Sequence, residues 1–272
     1  MNTANMPTTT AASLNSGRLH RAYLRLPTPP HYGRPAFEAG LAQVGYEITL
    51  RPIAPKPGDL LVLWNRYLKD EREARAYEAA GATVLIVENP YLAPDIKPPP
   101  SLAIAQGHHN GAGFWHVGNE ARPIAWPIEP WRTDGDHVLI IPQRGLGEQG
   151  VAMPKGWPAQ AEHELKTMTK RPIRVRPHPG VRPHPPMDGD LKDCWAAVTW
   201  GSGGALKAIC AGVPVFYQFP QWIGAPAASR FVLTDIENPY LGDRGFMLHR
   251  LSWAQWTIDE IAKGEPFRWL PS

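Results

Sequence analysis

Cysteine is scarce in this chain: 272 residues contain only Cys194 and Cys210. Two thiols exclude a disulfide framework and fit a reducing compartment. Neither stands in a Cys-His cluster with zinc spacing, and Cys210 falls in a helix pattern beside Ala208, Ile209 and Ala211, where buried packing is its expected role. A run of about 18 apolar residues, the length a membrane span needs, is also missing. The first residues, MNTANMPTTTAASLNSGRLH, are polar and lack the apolar core of a signal peptide. Residues 1–18 are therefore expected to be a disordered tail, and a cytoplasmic location is expected. Charge of one sign is nearly balanced, with 28 Lys and Arg against 25 Asp and Glu. The net charge of +3 is compatible with an anionic ligand, but no Lys/Arg stripe of the kind duplex binding needs is present.

Proline and tryptophan are abundant, at 31 and 11 residues. Tryptophan stacks on bases and sugars or packs cores, and composition alone leaves both open. Strand patterns fall at 21–26, 46–52, 59–64 (DLLVLW), 83–87 (TVLIV) and 101–106. Helix patterns fall at 35–45, weakened by Gly40, and at 69–80, closed by Gly81. Continuous apolar strands alternating with helices indicate a parallel sheet covered on both faces. Residues 120–136 carry Pro123, Pro127 and Pro130 and read as a linker. A second run follows: a strand at 137–141 (HVLII), a helix near 159–169, and a Trp-rich helix at about 252–263.

The most informative stretch is 173–216, IRVRPHPGVRPHPPMDGDLKDCWAAVTWGSGGALKAICAGVPVF. A short strand enters a His-Pro loop, and a second strand enters the turn Gly201-Ser202-Gly203-Gly204. That turn opens a helix ending at Gly212. Strand, small-residue turn and helix N-terminus form an anion site, because free N–H groups and the helix dipole point the same way. His178 lies between Pro177 and Pro179, which restrict its backbone. It is either a phosphate contact or a solvated histidine in a rigid turn; His184 in the copy reads as structural. Upstream, Gln143-Arg144-Gly145-Leu146-Gly147 is either an ordinary turn or a place where backbone approaches a ligand and Arg144 neutralises phosphate.

The His-Pro motif with the later serine resembles a group of bacterial capsule-polysaccharide enzymes. These are the polysialyltransferase-like, Kdo-transferring and CDP-glycerol glycerophosphotransferase families. The resemblance implies that His178-Pro179 and Ser202 contact a donor nucleotide. Ser202 stands alone among glycines, where a serine pair is common in those families. Two α/β halves joined by a proline linker resemble the GT-B glycosyltransferase fold. The implied fold is α/β, with two Rossmann-like domains facing across a cleft and a C-terminal helix crossing back to the first. The implied boundaries are 19–119 on the acceptor side, 120–136 as linker, 137–250 on the donor side and 251–272 packing on the first domain.

The implied activity is glycosyl transfer without a metal or cofactor, using a nucleotide-sugar, expected to be a UDP-sugar, as co-substrate. The first half then supplies a base for the acceptor hydroxyl. Glu88, ending a buried strand where apolar surroundings raise a carboxyl pKa, is one candidate; its other reading is a structural anchor in the turn with Asn89. His108 and His109, within Gly107-His108-His109-Asn110-Gly111, are the others, or are a polar turn. Asn65, Arg66, Arg176 and Arg230 are possible cleft residues, as are Asp235 and Glu237 at its mouth. Asp134 to Asp136 and Asp188 to Asp190 each read Asp-Gly-Asp, but the first precedes a strand and the second sits at a helix start, where aspartate is an N-cap. No metal site is expected. The Trp- and Pro-rich style and the ending LSWAQWTIDEIAKGEPFRWL resemble proteins of tailed phages, which implies host cytoplasm and, as acceptor, a hydroxymethylated pyrimidine in double-stranded DNA. The alternatives are transfer to a surface polysaccharide, a non-catalytic nucleotide or nucleic-acid binding module, and a nucleotide-sugar epimerase.

Overall fold

The computed structural model describes residues 20–108, 112–122, 124–180, 185–231 and 236–270. The expected tail, His109 to Gly111, Pro123, His184 and Asp235 lie outside them. Along the first half run β1 (His20–Arg25), α1 (Arg34–Gln43), β2 (Tyr46–Thr49), β3 (Leu60–Trp64), α2 (Glu71–Ala79), β4 (Thr83–Glu88) and β5 (Ser101–Gln106). The second half brings β6 (His137–Ile141), α3 (Trp157–Met168), β7 (Ile173–Val175), α4 (Asp188–Leu191), β8 (Cys194–Thr199), α5 (Gly204–Cys210), β9 (Val215–Tyr217) and β10 (Ser229–Arg230). The closing segment holds α6 (Arg244–Ala254), β11 (Gln255–Thr257) and α7 (Ile258–Ala262).

The strands form two sheets, β11-β5-β4-β3-β1-β2 and β10-β9-β8-β6-β7. All pairings in the second sheet are parallel. In the first, β1 to β4 are parallel, but β5 runs antiparallel to β4 and β11 antiparallel to β5. The apolar runs of β3 and β6 are buried almost throughout, as central parallel strands require. One contiguous core joins the halves: Leu24, Val62 and Leu85 belong to the same buried cluster as Leu139, Ile141 and Leu206. No helix among the described residues is long and apolar enough to cross a membrane.

The Trp-rich segment departs from the single helix expected at 252–263. Its middle is β11, with Gln255, Trp256 and Thr257 paired to Ala103, Leu102 and Ser101. The open edge of β5 supplies hydrogen-bond partners that a continuous helix would leave unused. Thr257 then starts α7 with a capping box: its hydroxyl accepts from the Glu260 N–H and the Glu260 carboxylate accepts from the Thr257 N–H. Helix α7 packs on α1 so closely that a Cβ on Gly40 would stand 1.8 Å from the Ile261 carbonyl oxygen. Gly40, unfavourable for helix propensity, is what admits α7. The proline-rich segment is strapped to the second half, where Glu129 N–H donates to the Cys210 carbonyl and Arg132 N–H to that of Gly212.

Candidate functional site

Strands β7, β6 and β8 are neighbours and parallel, so the loops that follow them emerge along one edge. These loops carry His178, Arg144 and the Gly-Ser turn. The first two converge: a Cβ on Gly180 would lie 3.0 Å from Arg144 Cδ and 3.2 Å from His178 Nδ1. His178 Nδ1 accepts the Gly180 N–H at 2.9 Å, so the proton of the neutral imidazole sits on Nε2. Burial, and then the charge of Arg144, lower the His178 pKa below its ordinary value. The ring is therefore a neutral Nε2–H donor at pH 7, beside a guanidinium. Pro179 is exposed at the tip. Gly145 and Gly147 have φ of 70° and 109°, a backbone region only glycine enters without strain.

Arg176 braces this loop from beneath. It is buried, pairs with Asp190 and donates to the Pro185 carbonyl at 2.5 Å. Asp190 thus serves as an anchor within α4. The N-cap of that helix is Met187, without a side-chain cap, so the aspartate N-cap expected at this helix start is not formed.

The Gly-Ser turn is built on Thr199, the last residue of β8. Its hydroxyl donates to the Ile141 carbonyl and accepts the Ser202 N–H, both at 2.8 Å. Ser202 is buried, and its Oγ accepts the Gly204 N–H at 3.2 Å. Ala205 and Leu206 N–H groups donate to the carbonyls of Ser202 and Gly203. The expectation of free N–H groups is corrected here: the turn spends three of them on itself, because a serine two residues before Gly204 closes the turn locally. Gln143 Nε2 donates to the Gly201 carbonyl at 2.8 Å, tying this turn to the loop carrying Arg144.

Glu88 and Tyr91 come from the first half. Glu88 is half-buried at the end of β4, and the Tyr91 hydroxyl donates to its Oε1 at 2.6 Å. A Cβ on Gly203 would stand 3.8 Å from Tyr91 Cδ1, so the ring lies beside the Gly-Ser turn. Glu88 and the Gly-Ser turn thus flank one side chain. Sequence reasoning gave no role to Tyr91 or Thr199 and named Gln143 only as part of the Arg144 loop; the only signal for the first two was their place at or shortly after the ends of buried strands.

The other first-half residues are spread more widely, and His108 reaches the far part of the loop that carries Arg144. Because β5 is antiparallel, Glu88 opposes Ala103 while Gln106 opposes Leu85. The expected parallel direction would have put Glu88 and His108 at one edge; instead they stand near opposite ends of β4, about 10 Å or more apart. His108 Nε2 meets Glu148 Oε1 at 3.2 Å, and Arg75 holds the same carboxylate at 2.6 Å. Arg66 is buried between Glu71, Glu78 and the Gly107 carbonyl, at 2.8, 2.6 and 2.6 Å. Asn65 adopts φ of 57° and donates to the Tyr67 hydroxyl at 3.3 Å. Arg230 is exposed at the end of β10, its guanidinium 5.4 Å from the centre of the Tyr217 ring. Glu237 is drawn into a pair with Arg171. Asp134 and Asp136 precede β6, at the edge away from the loops. Among the described residues no group of three or more His, Cys, Asp or Glu side chains forms a metal-ligand set.

The fold is α/β with two parallel-rich sheets, and it is similar to that of Kdo transferases. Two solved structures from Thermosulfurimonas dismutans carry the likeness. KpsC described as a beta Kdo 2,7 transferase superposes with a TM-score of 0.52 at 11% identity, covering 90% of this chain and 98% of that one. KpsC described as a beta Kdo 2,4 transferase gives 0.54 at 13%, covering 90% and 99%. No family model matches the sequence. No curated protein matches it either.

Proposed function

We propose that this protein is a glycosyltransferase of GT-B type that moves a sugar from a nucleotide-sugar to a hydroxyl of a surface polysaccharide. The observation that carries the reading is the place of Tyr91 between Glu88 and the Gly-Ser turn: its hydroxyl donates to Glu88 and its ring lies beside Gly203, while Gln143 ties the same turn to the loop carrying Arg144. Residues 19–119 form the acceptor side and 137–250 the donor side, with 120–136 linking them and 251–272 returning to the first. Arg144 and the Nε2–H of His178 bind the donor phosphate and stabilise the charge that develops on it as it leaves. Glu88 takes the acceptor hydroxyl proton. The acceptor oxygen bonds to the anomeric carbon, and the bond from that carbon to the phosphate oxygen breaks, its electron pair leaving with the nucleotide.

Glu88 is preferred to His108 because Tyr91 links it to the Gly-Ser turn. The likeness to Kdo transferases supports a saccharide acceptor, and it points to an acidic sugar such as Kdo as the donor sugar. Neither the site nor the likeness favours duplex DNA. The test is a panel of UDP-, GDP- and CMP-activated sugars, Kdo among them, with oligosaccharide acceptors and hydroxymethylated DNA. Binding is followed by calorimetry and products by mass. Saccharide product is expected; failure to bind any donor ends this reading, and product on DNA alone moves the acceptor.

A further inference from the structure

Residues 142–156, between β6 and α3, form the loop that carries Arg144. Within it Gly145, Gly147 and Gly150 hold φ of 70°, 109° and 93°. A backbone this permissive is costly to order and needs attachments. Near its start Gln143 Nε2 donates to the Gly201 carbonyl at 2.8 Å, and near its end the Val151 carbonyl accepts the Trp200 Nε1–H at 3.2 Å. Both of these attachments stay within the second half. Glu148, between them, reaches the first: Arg75 donates to its Oε2 at 2.6 Å, and His108 Nε2 meets its Oε1 at 3.2 Å. The Glu148 carbonyl accepts the Val151 and Ala152 N–H groups at 3.1 and 2.9 Å, so a tight turn of main chain follows the side chain.

An isolated exposed ion pair adds little. Arg75 is not isolated: Glu71 holds its guanidinium at 2.7 Å, and Glu71 is held in turn by the buried Arg66 at 2.8 Å. Charges thus alternate from Glu148 on the loop to Arg66 in the interior, and Arg75 loses little freedom when Glu148 joins it. We infer that Glu148 is a positioning residue for Arg144: clasped by Arg75 and His108, it holds the β6–α3 loop so that the Arg144 guanidinium stays beside His178, ready for the donor phosphate. This rests on the glycosyl-transfer reading, with Arg144 as a phosphate contact. The sign of the effect is diagnostic. Glu148 is an anion four residues from Arg144, and through charge alone it would repel a phosphate, so that removing the charge would tighten binding. Acting through Arg144, its removal weakens binding, because the loop must then be ordered at the ligand's expense.

The experiment is a double-mutant cycle of Glu148→Gln and Arg144→Met in the full-length protein. UDP, GDP and CMP are each titrated at pH 7.5 by calorimetry, and the tightest binder is followed. Glu148→Gln is expected to weaken that nucleotide about fivefold. Arg144→Met is expected to weaken it about tenfold, and in that background Glu148→Gln is expected to cost nothing further, since the residue it acts through is gone. Hydrogen exchange is expected to rise in residues 143–150 of Glu148→Gln and to stay as in the parent in β6 and α3. Unchanged or tighter binding in Glu148→Gln overturns the positioning role, as does an equal loss in both backgrounds or unchanged exchange in the loop. Exchange that rises across the whole second half also overturns it, because general loosening then accounts for the loss. Full affinity in Arg144→Met removes Arg144 as a phosphate contact and the inference with it. A parent protein that binds none of the three nucleotides ends the glycosyl-transfer reading itself.

Discussion

Arg66 holds two carboxylates at once, Glu71 and Glu78, while almost wholly buried. Burial works against its charge, and the hydrogen bonds to both glutamates outweigh it, so its pKa is raised. Removing it strands those glutamates, and Arg66→Met is expected to cost about 3 kcal/mol in urea unfolding. The partner shows the same bond from the other side. Hydrogen bonds from Arg66 lower the Glu71 pKa to about 2 against the opposing effect of burial, with Arg75 assisting. A carboxyl lowered in the folded state contributes stability that is whole above its unfolded value near 4.5 and is lost as pH falls towards 2. Unfolding midpoints at pH 7, 4 and 3 should therefore fall, and Arg66→Met should flatten that fall. At the edge proposed to bind the donor, His178→Ala is expected to weaken nucleotide binding about tenfold, measured by calorimetry at pH 7.5. An unchanged affinity would remove His178 from the site. Residue types at this scale were legible where they ended buried strands, as with Glu88 and Arg144. Their partners were not: Tyr91 meets Glu88 only through the shape of the turn after β4, and Glu148 meets His108 across a long stretch of chain.

Among the elements, apolar runs fixed where strands lie but not which way they point. The run at 101–106 appears as β5 with the expected bounds. A continuously buried strand has the same pattern in either direction, so its antiparallel course was invisible, and with it the separation of His108 from Glu88. The Trp-rich segment hid β11 for a related reason, since three residues carry no period. Gly40 illustrates the reverse: a residue that weakens a helix in isolation is required once α7 is in place. Gly40→Ala is expected to destabilise the protein by about 2 kcal/mol. Gly189→Ala, where a Cβ meets open space, is expected to be neutral or to stabilise by up to about 1 kcal/mol. Thermal melts of the pair test whether the α1–α7 approach is tight.

For the molecule as a whole, the final segment belongs to the first sheet. Gln255 to Thr257 complete its edge, α7 covers α1, and Phe267 meets Phe37 with ring centres 5.6 Å apart. A protein ending at Ala254 would bare the β5 edge and the apolar face of α1. It is expected to lose hydrogen-exchange protection in β3 and β4 and to associate through the exposed strand. Retained protection there would show that the first half stands alone. The α/β alternation made the two sheets legible; the shared core that joins Leu85 to Ile141 was not, because burial patterns do not say which apolar faces meet.

That return of β11 and α7 also sets an order of events during synthesis. The edge strand and the α1 cover of the first sheet are encoded more than 140 residues after β5. While the ribosome makes the second half, the first has no means of closing. Its exposed edge must wait, through the making of a whole second sheet, for residues 255–267 to emerge. The protein is thus set to gain its final cooperativity late, with the interval before that as its time of greatest exposure to misassociation.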